Sequence, residues 1–238
     1  MTTTQLQPLR QIRLPGQEAA PEGPIDMIGM FLMHFAFRRD LSAFARAVAT
    51  TPVEDQPTWR ALSARWEKFG HVLHAHHTRE DTFLWPRVTE KARAAGDATS
   101  VVTLEAMHAE HAEIDPLLES VAHGLDRLAA TPDPDVRTAL EARVAATRDS
   151  LIRHLAHEER DALAIVQRLF SAEEWEDMEK AQKERLRELA FLVPWVVHRL
   201  PEGAWPRTAA FGGPLMVALA RLFRRRFERQ ERRAFYYA

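Results

Sequence analysis

The chain of 238 residues contains no cysteine, which excludes disulfides, thiolate nucleophiles and cysteine-rich zinc sites. Any metal it binds must be held by imidazole and carboxylate, a donor set that suits iron, manganese or zinc. Long apolar runs are missing too. The longest, "MIGMFLMHFAF" at 27–37 and "GGPLMVALARLF" at 212–223, fall short of the ~20 residues that cross a bilayer. The first residues, "MTTTQLQPLRQIRLPGQEAAPEGP", have no apolar h-region of a secretory signal. The expected location is therefore cytoplasmic. A formal net charge of -2 gives no general affinity for nucleic acid.

Glycine is scarce, with 9 residues, and β-branched runs are absent. Ala, Leu, Glu and Arg dominate instead, and the pattern from Ile25 onward is helical almost throughout. Hydrophobic residues at 46% and charged residues at 28% describe a globular chain able to bury a substantial core.

Residues 1–24 carry Pro15, Pro21 and Pro24 without periodicity and read as a flexible or surface-lying arm. Helices are predicted near 25–50, 57–94, 98–130 and 134–169, with Pro57 tolerated in a first turn. Pro86 and Pro116 should kink or stop the helices they fall in. Ser171 and Glu174 in "SAEEW" form a capping box for a fifth helix that should stop before Pro194. A last helix is predicted from near Leu215. The expected fold is all-α: an antiparallel four-helix bundle over 25–170, followed by additional C-terminal helices over 171–238.

The chain repeats itself. "HHTREDTFL" at 76–84 aligns with "HLAHEERDA" at 154–162, an offset of 154 − 76 = 78 that pairs His76 with His154, Glu80 with Glu158 and Asp81 with Glu159. His34 and His111 stand at nearly the same offset, 111 − 34 = 77. Each half is thus a helix with one histidine, then a helix with H-x-x-x-E.

Residues four apart lie about 40° apart around a helix, so each histidine shares a face with its glutamate. If His34 and His111 face the same axis, four imidazoles and two carboxylates converge, enough for two metal ions bridged by the carboxylates. The motif alone is common here, since His77/Asp81, His111/Asp115 and His157/Asp161 also satisfy it. Solvated faces, however, have no reason to repeat their phase.

The same geometry demotes His71 and His74, and places His77 about 100° away, between helices or in solvent. His108, His157, Asp115, Glu159 and Asp161 stay open as ligands or as groups that orient ligands. Arg38, four residues past His34, is expected to snorkel to the bundle end or line an entrance.

At "FLMHF", "HHTREDTFLWP", "MHAEHAEI" and "HLAHEERDAL" the sequence resembles the hemerythrin-like, or HHE cation-binding, family, over about residues 25–170. The resemblance implies a non-haem di-iron centre with His34, His76, His111 and His154 as terminal ligands and Glu80 and Glu158 as bridges. It leaves manganese or a mixed pair possible in place of iron. It implies a small ligand, dioxygen or hydrogen peroxide, to be bound, sensed or reduced. Oxygen carriers of the family have a further histidine where this chain has Met107, and an aspartate where it has Glu159. Both departures point away from reversible oxygen carriage.

Residues 215–236, "LMVALARLFRRRFERQERRAFY", combine an apolar stripe with a run of arginines. Such a helix docks on the bundle, joins a second subunit or protein partner, or lies on an anionic membrane surface. The first two are the usual roles.

Overall fold

Asp55, Asp97 and Asp133 set three of the helix starts. In the computed structural model, which describes residues 9–181 and 186–238, their carboxylates accept backbone amides of the turn that follows, from Thr58, from Ser100, and from Asp135 and Val136. Such caps satisfy amides without an intrahelical partner and stabilise a helix by about 1 kcal/mol each. The helices are α1 (Ile28–Thr50), α2 (Gln56–Arg79), α3 (Trp85–Ala94), α4 (Ala98–Ala130), α5 (Pro134–His157), α6 (Leu163–Leu169), α7 (Ala172–Ala181), α8 (Leu186–Val196) and α9 (Trp205–Ala234).

Two π-helical turns interrupt the regular winding. Glu80–Leu84 joins α2 to α3, and Glu158–Ala162 joins α5 to α6. The rods predicted over 57–94 and 134–169 are thus each an α–π–α composite. The fold is an all-α bundle, as expected, and short connections make successive rods antiparallel.

The Ser171–Glu174 capping box forms, with the amide of Ser171 donating to Glu174 Oε2 at 2.9 Å and that of Glu174 to Ser171 Oγ at 3.2 Å. Part of the fifth helix predicted after it, residues 182–185, lies outside the described residues. Pro116 does not stop α4, which runs through it. The Pro194 expectation needs correction, since α8 continues past Pro194 to Val196. The last helix does begin near Leu215: the non-helical Gly213, whose φ of 65° suits glycine, separates it from a helical segment that starts at Trp205, and the two together are α9.

α1 packs on α5, α5 on α4 and α4 on α2, but α1 and α2 touch little, and α8 and α9 fill the seam between them. Trp195 is fully buried there, its ring 5.3 Å from that of Phe37 and its Nε1 donating to Asp40 Oδ2 at 2.7 Å. Arg65 of α2 pairs with Asp40 of α1 and Glu231 of α9. The apolar interior falls into two clusters. One holds Phe37, Phe44, Trp59, Trp66, Phe69, Leu125 and Leu151. The other holds Ile28, Phe31, Trp85, Leu104, Met107 and Val166. Burying each such side chain contributes roughly 1.5–3 kcal/mol. On every rod the residues that separate the two clusters are the histidines and acids of the repeat.

From Leu9 to Met27 the chain lies against the bundle. Ile12 and Leu14 are buried, and Gln11 ties the segment down, donating to Ile25 O at 2.7 Å and accepting from Met27 N at 3.0 Å. Gly23 passes so close to Gln167 that a Cβ would overlap its side chain. Among the described residues no helix is long and apolar enough to cross a membrane.

Candidate metal centre

The layer between the two cores contains all six predicted residues. His34 comes from α1, His76 from the end of α2 and Glu80 from the first π turn. His111 comes from α4, His154 from α5 and Glu158 from the second π turn. All six are buried. Their donor atoms fall into two groups, one of His34, His76, Glu80 and Glu158, the other of His77, His111 and His154. Within the first, Nε2 of His34 and Nε2 of His76 are 3.4 Å apart. Within the second, Nε2 of His111 and Nε2 of His154 are 3.1 Å apart.

The two glutamates span the groups. Glu80 places Oε1 3.1 Å from His76 Nε2 and Oε2 3.5 Å from His111 Nε2. Glu158 places Oε2 3.2 Å from His34 Nε2 and 3.8 Å from His154 Nε2. None of the four carboxylate oxygens has a hydrogen-bond partner of acceptable geometry, and neither has a nitrogen of His77. Buried polar atoms are rarely left so, because desolvation without compensation costs roughly 1–3 kcal/mol per group.

A second ring of acids holds the outer nitrogens. Nδ1 of His34 meets Glu159 at 2.9 Å, Nδ1 of His111 meets Asp81 at 3.0 Å, and Nδ1 of His154 meets Glu110 at 2.8 Å. An ionised carboxylate only accepts, so each Nδ1 carries a proton, and when the ring is neutral each Nε2 presents its lone pair to the interior.

Glu159, left open by the sequence, therefore orients His34 and stands outside both groups. Arg38 does not reach the bundle end. It is buried and grips Glu159 with both terminal nitrogens, at 2.6 and 2.9 Å, while the backbone amide of Glu18 donates to Oε2 at 2.8 Å. The other open residues also stand outside. His157 meets Glu110 at 2.7 Å, the exposed His108 is 3.2 Å from Asp81, Asp161 pairs with Arg160 at 2.8 Å, and Asp115 is half-buried. His71 and His74 are exposed, as expected.

Of the two places the sequence left for His77, the structure gives the one between helices, and there it joins the second donor group. It is buried, and its ring stacks on that of His111 with centroids 3.9 Å apart and planes at 6°. A residue 100° from His76 on α2 faces the neighbouring α4, and an imidazole is long enough to reach the layer from there. The π turns matter for the same reason. A π turn closes i→i−5 hydrogen bonds, as from Trp85 N to Glu80 O and from Leu163 N to Glu158 O. The wider turn lets two consecutive acids, Glu80 with Asp81 and Glu158 with Glu159, both reach groups of the layer.

With protein charges alone the layer is in conflict. Burial, then the charge of Glu158, holds the Glu80 carboxyl well above its ordinary range. Burial also opposes ionisation of Glu158, but His34 and the other imidazoles outweigh it and bring it to about 2. For His34 burial is likewise outweighed, by Glu158 and Glu159, and its pKa rises to about 9. Burial, then neighbouring imidazoles, pushes His76, His77 and His111 down. A divalent cation resolves the conflict, because it favours ionised carboxylates and neutral imidazoles together. The donors present fit such a cation in type, number and orientation.

A helical bundle with a buried layer of paired histidines and spanning carboxylates has the interior of a cation-binding bundle protein. The chain belongs to the hemerythrin family: the hemerythrin HHE cation binding domain matches residues 30–166. No curated protein and no solved structure matches the chain.

Proposed function

We propose that the chain is a non-haem di-iron protein that binds or reacts with dioxygen or hydrogen peroxide. His34, His76, Glu80, His111, His154 and Glu158 are the ligands, and His77 joins the second group. The observation that carries this reading is the pair of buried glutamates spanning two histidine groups with all four oxygens unpartnered. When bound, iron supplies the electrons that dioxygen or peroxide chemistry requires. The protein's part is to hold the Nε2 lone pairs inward through Glu159, Asp81 and Glu110, and to exclude water with the cores above and below.

Metal analysis of protein produced with iron available tests the reading, and also decides between iron, manganese and a mixed pair. About two ions per chain are expected. Fewer than one per chain would contradict it.

A second reading, a metal-stabilised sensor or interaction bundle, is favoured by the surface of α9. Leu215 and Leu222 are 64% and 70% exposed beside the exposed Arg221 and Arg225, a surface suited to a second copy, a protein partner or an anionic membrane. The double variant Leu215→Glu, Leu222→Glu should then abolish self-association or partner binding while leaving the metal content unchanged. Intact association in that variant would rule this surface out.

A further inference from the structure

The seam between α1 and α2 is filled unevenly. Trp195 is fully buried in it, but at the level of His76 the seam opens into a cavity of about 370 Å³ that communicates with solvent. Met30 and Met33 of α1 form one wall, and His76 and Glu80 lie at the inner end. Trp175 and Met178 of α7, Val193 of α8, and Phe211 and Met216 of α9 supply the opposite wall. That wall belongs entirely to residues beyond the family match, which ends at 166. His34 and Glu158 are wholly shielded, whereas His76 keeps 8% of its surface exposed. The cavity thus reaches the first metal group along its His76–Glu80 edge.

Dioxygen and peroxide need no such room. A cavity of roughly 150 Å³ holds benzene, and small-molecule pockets begin at about 300 Å³, with mostly apolar walls and a few convergent polar groups. Four of the chain's 7 methionines line this one, and thioether side chains adapt their shape to apolar guests. Charges of both signs, Arg79 and Glu179, border it, so it selects no net ionic charge.

We propose that this cavity binds a neutral, apolar organic molecule of about naphthalene size and holds it against the His76–Glu80 edge of the layer. The C-terminal helices exist in part to build that site. The proposal rests on the metal reading only for what happens to the molecule once bound, so the two can be tested separately.

The probe is 1-naphthol, titrated into the full-length, metal-free protein by calorimetry. Saturable binding of one molecule per chain with a Kd below about 1 mM is expected. Met33→Trp and Met30→Trp each fill the cavity and should weaken binding at least tenfold, with folding checked by circular dichroism. Val102→Glu, on the exposed face of α4, should leave it unchanged. In ¹⁵N-histidine spectra the ring signals of His76 should move on addition of 1-naphthol and those of His154 should stay in place.

No saturable binding, or equal binding by every folded cavity-filling variant, would overturn the proposal. So would binding that leaves the His76 signals unmoved. A protein that takes up no metal yet passes these tests would sink the di-iron reading and leave the cavity assignment standing.

Discussion

Glu159 accepts a hydrogen bond from Nδ1 of His34 at 2.9 Å, across 125 residues of chain. Its repeat partner Asp81 does the same for His111 at 3.0 Å. The acid that follows each H-x-x-x-E therefore reaches over to the lone histidine of the other half, and the internal repeat governs the outer ring of the site as well as the inner one.

Because Arg38 and the Glu18 amide fix Glu159 in turn, His34 has little freedom to turn away. Replacing Glu159 with glutamine removes the charge that holds the Nδ1 proton while keeping the volume. Metal affinity measured by chelator competition should fall about 10–100-fold. An unchanged affinity would mean that His34 needs no orienting group.

His77 has no counterpart in the second half, where the equivalent position is the fully buried Leu155. Its nitrogens have no hydrogen-bond partner, so an imidazole kept there for stability alone would be a poor choice. His77→Leu should melt no earlier than wild type without metal, yet lose one ion per chain or bind it at least tenfold more weakly. Full metal content in that variant would show that His77 is only a core residue.

The six inward groups were legible in the sequence because the repeat offset survives in it, and the start of the helix after 170 was legible because Ser171 and Glu174 form its capping box. The position of His77 between helices was one of two readings, but its place in a donor group was not legible, because angles about a single ideal helix discard a residue that faces the adjacent helix. The π turns left no local signal either: Pro86 follows the first, but the equivalent position after the second is Ala164. Glu110 orients His154 from a helix one neighbour away, a relationship only the packing reveals. The C-terminal helices read as an extension because nothing in α1 or α2 announces that they scarcely touch.

Arg65 is the tie across that seam. Its side chain is 3% exposed, and it neutralises Asp40 of α1 and Glu231 of α9 at once. Arg65→Met preserves much of the volume but leaves the buried Glu231 without its paired cation and Asp40 with Arg39 alone. Unfolding by urea should show a loss of about 3–5 kcal/mol. A loss below about 1 kcal/mol would mean that the three charges are solvated and that the C-terminal helices are held by apolar contacts alone.

The same cluster sets a pH dependence. Burial pushes the Asp40 carboxyl up, but Arg65, Arg39 and the Trp195 hydrogen bond outweigh it, and the folded pKa lies below the ordinary value of about 3.9. A depressed acid contributes stability that is complete above the unfolded pKa and is lost as pH falls through the folded one. Glu231 has the opposite sign, since burial outweighs Arg65 and raises its pKa, so its own titration favours the folded state on mild acidification. The wild-type acid limb mixes both effects with those of the metal layer, and a variant isolates Asp40. Asp40→Asn should be less stable at pH 7, but its melting temperature should fall less steeply than that of wild type between about pH 5 and pH 3. Parallel curves would show that the Asp40 charge contributes nothing to holding the seam.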